Sequence, residues 1–473
     1  MPKSTLLPSL FGLYLAATHV ALGAVYNVGP GQPLTAIGQV PWRTLQPGDR
    51  VHIHWRSTPY REKWVVARAG TALNPIVISG VANAQGLLPV IEAADAVTAP
   101  GLDFWNQDRA LIKFGGASQP NQAPNHAVIE NLEIRGARSG NSFTNTAGVR
   151  QAYGANAAGI LVESGANITI RGCTVRDNGN GIFVGHGNGS TGNITIERNY
   201  IHDNGYAGSS QQHNAYTETL GIVYQFNRFG PLKPGSVGNN IKDRSAGTVI
   251  RYNWVEGGNT QLDLVESLAG HINGAPGYQE TFVYGNVLVE PAVTNPNDSL
   301  IMVHYGGDTS NTSVYRNGWL YFHANTCVSL RTAGVTVFGL NTASQRADAR
   351  NNVIHAMRGP RIVDSAGYVE LRSNWLLQGW YAGSGPQGAV ADLGGNKTGS
   401  DPMFQSLSEG NFTPKPGSPL VDAAGPLGAA VAVAHKPSQQ YVKHQKSAVR
   451  PGPRDPLYDI GAMELNRLRR EAE

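Results

Sequence analysis

Residues 168–175 read ITIRGCTV, and residues 194–201 repeat the same pattern as ITIERNYI. In each stretch apolar residues alternate with polar ones, a polar turn follows, and a further apolar residue comes after the turn. A period of two puts every second side chain on one face, which is typical of β-strands. The two stretches therefore predict short strands that recur along the chain.

A turn residue of this pattern returns at intervals of 22 to 35 residues through the middle of the chain. The positions are Cys173, Asn199, Asn227, Asn253, Asn286, Asn317, Asn352 and Asn374. A unit of this length cannot bury its own apolar face, so the units have to stack. Asparagines buried at a repeated corner would then hydrogen-bond to those of the neighbouring coils, because an unpaired buried amide is costly.

This organisation predicts an all-β fold, a single-domain right-handed parallel β-helix of about nine to eleven coils. A β-propeller is the alternative, but its blades have about 40 to 45 residues each. The composition agrees, since 58 glycines in 473 residues indicate frequent turns. Two cysteines exclude a disulfide scaffold and offer no zinc constellation. A net charge of +4 is too small to indicate nucleic-acid binding.

The two ends of the chain differ from the repeats. Residues 1–24 carry Lys3, an apolar stretch at 10–22 and a small-residue end, ALGA, which is the layout of a secretory signal peptide. A membrane anchor is the alternative reading. We expect removal of this segment to leave a secreted or periplasmic monomer without membrane attachment. The β-helix with its N-terminal cap is predicted over 25–464, with a surface excursion at 435–456 and a charged tail at 465–473.

Polar residues interrupt the repeat at one place on the helix. Tyr216 lies 11 residues before Asn227, and Lys242 lies 11 residues before Asn253. Both therefore take the same outward position on consecutive coils, about 4.8 Å apart. The same reasoning places Asp263 next in the row.

One face of the solenoid is thus predicted to gather a dense polar cluster. Its members are His213, Tyr216, Lys242, Arg244, Asp263 and, further along, His304. Solenoids commonly use such a face for binding. The simpler alternative is a surface ion pair between Lys242 and Asp263, which would contribute at most about 1 kcal/mol.

These residue types suit β-elimination on a uronic-acid polymer. Arg244 can neutralise the substrate carboxylate, because its guanidinium pairs with carboxylates and keeps its charge. Lys242 can be the base if Arg244 lowers its pKa. Tyr216 or His213 can be the acid, or exchange roles with Lys242. Asp263, His304 and Tyr305 are predicted to contact the substrate.

Glycoside hydrolysis is an alternative chemistry for this part of the chain. Asp263 and Glu266 form a pair of carboxylates, and glycoside hydrolysis needs two carboxylates at a set separation. Three residues apart on a strand, they would face opposite sides of the sheet, which disfavours hydrolysis by this pair.

The segments HNAY at 213–216 and GNNIKDRS at 238–245 resemble secreted bacterial β-helix proteins of the pectate-lyase-like superfamily. Within that fold, Lys242 is similar to the base of the alginate and chondroitin lyases. The following coil, QLDLVE at 261–266, lacks the arginine of those enzymes, and no Asn-Gly-x-Glu calcium motif precedes it. Arg244 is a hypothetical substitute for that arginine.

The resemblance implies an exported polysaccharide lyase whose partner is an acidic polysaccharide or oligosaccharide. It implies no cofactor, with calcium possible although its ligand motif is not evident. A glycoside hydrolase or C5-epimerase of the same fold, and a non-catalytic carbohydrate-binding solenoid, are the alternatives.

Overall fold

The structure is a computed structural model that describes residues 23–292, 299–383, 389–450 and 458–465. The chain winds into a parallel β-helix, because nearly all strands of the three large sheets pair in parallel with strands one coil before and after them. The predicted all-β architecture is confirmed. We call the three faces sheet 1, sheet 2 and sheet 3.

Sheet 1 has 13 strands in the described residues. They are Val25–Val28, Arg50–His54, Ile76–Val81, Asn125–Glu130, Gly165–Arg171, Thr191–Glu197, Leu220–Gln225, Ala246–Arg251, Glu280–Tyr284, Trp319–His323, Arg346–Arg350, Tyr368–Arg372 and Ala389–Asp392. The alternating stretches at 168–171 and 194–197 therefore belong to this sheet.

Sheet 2 is built from 11 short strands. They are Val90–Glu92, Glu133–Arg135, Thr174–Arg176, Tyr200–His202, Arg228–Phe229, Trp254–Glu256, Val287–Glu290, Thr326–Ser329, Val353–His355, Trp375–Leu377 and Lys397–Gly399. This number equals the upper limit of the predicted coil count, whereas sheet 1 exceeds it with 13 strands.

Sheet 3 has 13 strands and carries the polar cluster. They are Glu62–Val66, Ala96–Thr98, Ala110–Phe114, Ser142–Thr144, Arg150–Ala152, Ala158–Val162, Asn180–Val184, Ala215–Thr217, Ile241–Asp243, Leu262–Leu264, Ile301–Tyr305, Thr336–Leu340 and Arg361–Ser365. All pair in parallel except Ser142–Thr144 with Arg150–Ala152.

The remaining described elements are small. Three antiparallel pairs join Asp103–Phe104 to Ala117–Gln119, Phe404–Ser406 to Asn411–Pro414, and Gln439–Val442 to Lys446–Val449. The helical segments are Ile37–Gln39, Gln107–Arg109, Gly187–Gly189, Gly270–Asn273 and Thr312–Val314. Among the described residues, we find no helix with the length and apolar character needed to cross a membrane.

A ladder of buried asparagines occupies the corner between sheet 1 and sheet 2. Each side-chain amide donates to the Oδ1 atom of the asparagine one coil later, at 2.9 to 3.1 Å. The members are Asn199, Asn227, Asn253, Asn286, Asn325, Asn352, Asn374 and Asn396, and the backbone N–H of Cys173 donates to the first. The predicted ladder is therefore confirmed at most positions.

The prediction for Asn317 is wrong. Asn325 takes the ladder position after Asn286, 39 residues further along. Asn317 instead lies in a turn and donates from its side chain to the carbonyl of Thr312 at 3.2 Å. The long insertion in this coil, which contains the 3-10 turn Thr312–Val314, displaces the repeat from its expected spacing.

A second ladder lies at the corner between sheet 2 and sheet 3 and was not predicted. Asn178, Asn204, Asn214 and Asn240 are fully buried and hydrogen-bond in that order. Asn214 and Asn240 directly precede the strands that carry Tyr216 and Lys242. This ladder therefore holds those two strands in register with each other.

The N-terminal cap is a turn rather than a regular helix. Its only helical segment is Ile37–Gln39, and apolar side chains on either side of it join the core. Trp42 is 2% exposed and stacks on Trp64 with ring centroids 5.4 Å apart. The cap therefore extends the apolar core at this end of the chain.

Residues 435–450, the described part of the predicted surface excursion, pack against the β-helix. We call residues 426–450 the C-terminal arm. The ring of His435 stacks on Phe282 of sheet 1 at 3.7 Å, and the backbone N–H of Ser438 donates to the Tyr252 hydroxyl at 3.0 Å. Residues 1–22 of the predicted signal peptide and residues 466–473 of the predicted tail lie outside the described residues.

We predict that Asn253→Ala lowers the free energy of unfolding by about 2 to 4 kcal/mol. The substitution removes the acceptor of the Asn227 amide and backbone N–H, and the donor to the Tyr224 carbonyl. The measurement is the shift of the urea unfolding transition followed by circular dichroism.

Asn317→Ala is the matched control for that substitution, because Asn317 is an asparagine outside the ladder. It should cost no more than about 1 kcal/mol. Equal losses in both variants would show that the ladder contributes no special stability.

Candidate active site

The predicted outward row on sheet 3 is confirmed. Tyr216 pairs in register with Lys242, Lys242 with Asp263, and Asp263 with His304. Their neighbours Ala215, Ile241, Leu262 and Val303 are fully buried and face the core. Residues 21 to 41 positions apart in the chain therefore become adjacent because of the parallel stacking. The catalytic roles predicted for them remain predictions.

Lys242 is enclosed by two carboxylates. Its Nζ atom lies 2.6 Å from Asp263 Oδ2 and also donates to Asp308, and its side chain is only 10% exposed. Burial alone lowers the pKa of Lys242, but the charges and hydrogen bonds of Asp263 and Asp308 outweigh it and raise that pKa. The condition for Lys242 to act as the base, a lowered pKa, is therefore not met, and Lys242 is held as a cation.

Asp308 is a component of the site that the sequence analysis missed. Its side chain, 33% exposed, accepts hydrogen bonds from both Lys242 and Arg244, the latter at 3.0 Å between Nη2 and Oδ1. It lies in the turn after Ile301–Tyr305 rather than on the strand, so the strand periodicity does not locate it. The adjacent glycines at 306 and 307 were the available signal for a turn.

Glu266 holds this turn in place. Its carboxylate accepts from the backbone N–H groups of Asp308 and Thr309 at 2.9 and 2.8 Å, and it is fully buried. Arg244 Nη1 lies 3.4 Å from Glu266 Oε2 and donates to the Glu266 carbonyl. Glu266 is therefore committed to the turn, and no carboxylate pair with Asp263 is free for hydrolysis.

Arg244 keeps its charge and lies beside Tyr216. Burial lowers the pKa of Arg244, but Tyr216 and the carboxylates of Asp308 and Glu266 outweigh it and raise that pKa. The guanidinium carbon is 5.9 Å from the centre of the Tyr216 ring. Lys242 and Arg244 thus both contact the Asp308 carboxylate, beside the phenol of Tyr216.

Asp263 is a buried link between Lys242 and His304. Its Oδ1 atom lies 2.7 Å from His304 Nδ1, and its Oδ2 atom accepts from Lys242 and from Asn239 Nδ2, both at 2.6 Å. Burial raises the pKa of Asp263, but His304 and Lys242 outweigh it, so the net pKa is lowered. Both carboxylate oxygens of Asp263 are therefore engaged, and Asp263 positions Lys242 and His304. Its predicted direct contact with the substrate is not supported by this arrangement.

His304 is held between two oxygen atoms. Its Nε2 atom lies 2.7 Å from Asn341 Oδ1, an oxygen that also accepts from the Gly307 backbone N–H at 3.3 Å. Both ring nitrogens therefore face acceptors. Burial lowers the pKa of His304, but the bond to Asp263 outweighs it and raises that pKa.

His213 lies within the protein wall, 2% exposed. Its Nδ1 atom accepts from the backbone N–H of Asn239 at 2.9 Å, so the proton of the neutral ring is on Nε2. Burial, assisted by the charge of Lys242, lowers the pKa of His213 to about 3. The predicted acid or base role is therefore not supported, and His213 positions Asn239, which in turn holds Asp263.

Tyr305 is not a substrate ligand. It follows His304 on the same strand, so its side chain points to the core, where it is fully buried. Nearby, Arg316 and Asp243 form a fully buried ion pair at 2.9 Å. Alternation along the strand, applied to His304 as an outward residue, would have predicted the inward position of Tyr305.

A cleft opens beside Tyr216, on the side away from Lys242. Its volume is about 370 Å³, and its lining includes Arg109, Glu163, Phe183, His186, Tyr216 and Glu218. Phe183, one coil before Tyr216, stacks on it with ring centroids 4.7 Å apart. Burial raises the pKa of Tyr216 although Arg244 and Lys242 act to lower it. The phenol therefore stands between the two cations and an open cleft.

In the part of the chain that the structure describes, no three His, Cys, Asp or Glu side chains form a group able to hold a metal ion. The carboxylates of Asp263 and Asp308 converge instead on the ammonium group of Lys242.

The comparisons with known proteins bear on the fold. No family model and no curated protein matches the chain. Among solved structures, it is similar to pectate lyase Pel9A, with 12% identity, a TM-score of 0.50 and coverage of 95% of this chain and 98% of that one. The fold therefore belongs to the parallel β-helix class that includes this lyase.

Two further structures match less closely. An alginate lyase from Paenibacillus sp. str. FPU-7 is 13% identical, with a TM-score of 0.43 over 67% of this chain and 91% of that chain. The GH136 lacto-N-biosidase from Eubacterium ramulus is 11% identical, with a TM-score of 0.37 over 79% of this chain and 68% of that chain.

We predict that His304 titrates with a pKa above 6.5, whereas His213 stays neutral down to about pH 3. Because the pKa of folded His304 is raised, its stabilising contribution is complete below pH 6.5 and is lost as the pH rises through the folded value. Histidine ring NMR measures both, with His304→Gln and His213→Gln assigning the signals. A His213 signal that titrates near 6.5 would contradict the arrangement.

Asp263→Asn should return the pKa of His304 to 6.5 or below, because burial then acts without its opposing carboxylate. Asp364→Asn, on a later strand of the same sheet, is the control and should leave the His304 signal unchanged. An unchanged His304 pKa in Asp263→Asn would show that the ion pair is not formed in solution.

Proposed function

We propose that this protein is an exported polysaccharide lyase that cleaves a uronic-acid-containing polymer by β-elimination. One observation supports this most directly: Lys242 and Arg244 converge on one partly exposed carboxylate, that of Asp308. Two fixed cations around a carboxylate form the kind of site that a uronate needs.

The first chemical requirement is neutralisation of the substrate carboxylate. When the uronate carboxylate replaces Asp308 on Lys242 and Arg244, its negative charge is balanced and the proton at C5 becomes more acidic. Because both cations are already held by buried carboxylates, little reorganisation is needed when charge develops.

The second requirement is proton transfer, which we assign to Tyr216. Lys242 is held as a cation, and His213 has its proton on Nε2, so neither is an available base. Ionised Tyr216 takes the C5 proton, the electron pair of that bond forms the C4–C5 double bond, and the C4–O4 bond breaks. The leaving O4 atom then takes the proton from Tyr216, which restores the phenolate.

This assignment gives the pH dependence a sign. The active form of Tyr216 is ionised and its pKa is raised above 10, so turnover should increase with pH through the alkaline range. Lys242 and Arg244 have raised pKa values and keep their charges there. The measurement is kcat against pH. A maximum below pH 7 would contradict Tyr216 as the base.

Tyr216→Phe should lower kcat about 100- to 10,000-fold with little change in KM, because only the proton transfer is lost. Arg244→Ala and Lys242→Ala should each lower kcat/KM at least about 100-fold. Absorbance of the unsaturated end group measures turnover on a panel of polyuronates. Arg346→Ala, an exposed arginine on sheet 1, is the control and should retain full activity.

The same experiment separates the alternative functions. Reducing ends without the absorbance would indicate hydrolysis, and a change of uronate configuration without cleavage would indicate a C5-epimerase. Binding of polyuronates without any of these reactions would indicate a carbohydrate-binding solenoid. Each of these results contradicts the lyase proposal.

A further inference from the structure

We infer that the cleft beside Tyr216 is a second sugar-binding subsite, in which Arg109 binds the carboxylate of another uronate of the same polymer chain. The inference rests on the proposed function for the nature of the polymer. It assigns a ligand to a cleft of about 370 Å³ whose lining, apart from Tyr216, has no role in the proposed elimination step.

The position of the cleft fits a polymer that runs along the helix axis. Phe183 pairs in register with Tyr216, and Tyr216 with Lys242, so Phe183 lies two strand spacings, about 10 Å, from the carboxylate site. A polymer that extends from the carboxylate site along the helix axis therefore passes over the cleft.

The floor of the cleft suits a sugar ring. Phe183 and Tyr216 stack almost in parallel, with 9° between their planes, and extend one aromatic surface over two coils. Trp105, which is 51% exposed, donates from Nε1 to Glu163, a residue of the cleft lining, at 2.8 Å. Aromatic surfaces with a polar edge are suited to ligands that combine apolar faces and hydroxyl groups.

The cation in the cleft differs from the other outward cations of this sheet. Lys113 is neutralised by Glu163 at 2.6 Å, and Lys242 and Arg244 are paired with Asp308. Arg109 forms no ion pair with any described residue. Its Nε atom has a single long hydrogen bond, 3.4 Å, to the carbonyl of Asn156.

The orientation of Arg109 is set without a carboxylate. Its guanidinium carbon lies 5.2 Å from the centre of the Phe183 ring, a cation–π distance. Stacking leaves the guanidinium N–H groups available, and a carboxylate can accept two of them at once. An anionic sugar over Phe183 therefore has a preorganised partner in Arg109.

Glu218 gives the cleft a second polar group. Its carboxylate accepts from Ser267 Oγ at 2.5 Å and forms no ion pair with any residue that the structure describes. A carboxylate accepts hydrogen bonds from sugar hydroxyls but repels an anion. A uronate can pair its carboxylate with Arg109 and donate from its hydroxyls to Glu218. A neutral sugar leaves Arg109 without an anionic partner.

The test measures binding and turnover separately. Calorimetric titration of the full chain with tetrameric oligouronates, and with the same tetramers after carboxyl reduction, gives affinities that do not depend on chemistry. Turnover is compared on polymers of contiguous uronates, such as polygalacturonate and polymannuronate. The variants are Arg109→Ala, Arg109→Lys and the control Arg346→Ala.

We expect Arg109→Ala to weaken tetramer binding and to raise KM on contiguous uronates at least about tenfold, with kcat nearly unchanged. Arg109→Lys should recover part of the loss, and Arg346→Ala should match the parent protein. The carboxyl-reduced tetramers should bind equally to the parent protein and to Arg109→Ala, because they carry no carboxylate for Arg109.

Unchanged binding and KM in Arg109→Ala, while Arg244→Ala is inactive, would overturn the subsite and leave the lyase function standing. Arg109-dependent binding of tetramers without any unsaturated product would support the subsite and overturn the lyase function. If the parent protein binds none of the oligouronates of the panel, both the subsite and the lyase function are overturned.

Discussion

Most asparagines of the two ladders donate the side-chain amide to the asparagine of the next coil, and this repeated hydrogen bond holds the register of the coils that contain them. An amide buried without a partner is costly, so a coil that slips by one residue would lose two such bonds and turn its side chains to the opposite face. The ladder that includes Asn214 and Asn240 ends directly before the strands of Tyr216 and Lys242. The alignment of the polar row on sheet 3 therefore follows from the ladder.

Charge alternates along and beside that row, and this alternation allows it to be buried. Lys242 pairs with Asp263, which also contacts His304, and Asp308 and Glu266 balance Arg244. A buried charge without a partner costs several kcal/mol, so removal of one member weakens all of them. The same pairing keeps Lys242 protonated, which makes it suited to binding a carboxylate and unsuited to accepting a proton. Asp308 is the most exposed acid of the group, and in the proposed mechanism it is the member that the substrate carboxylate replaces.

Sequence periodicity located the strands and the row, because both depend on local alternation and a repeated asparagine. It failed where the chain leaves the repeat. Asn317 was placed in the ladder because the insertion before Asn325 hides the true spacing, and Asp308 was missed because a turn, rather than a strand, brings it to Lys242. The burial of His213 could not be predicted from alternation, because His213 lies before the strand Ala215–Thr217 rather than on it. The pKa of Lys242 depends on those tertiary partners, so its direction could not be predicted from Arg244 alone.

The central claim is that Lys242 and Arg244 form a carboxylate site that Asp308 occupies until substrate arrives. A crystal structure of the Tyr216→Phe protein with a uronate oligosaccharide tests it most directly. We predict a substrate carboxylate within hydrogen-bond distance of both Arg244 and Lys242, with the Asp308 side chain displaced from them. A sugar bound on another face, with Asp308 still between the two cations, would contradict the account.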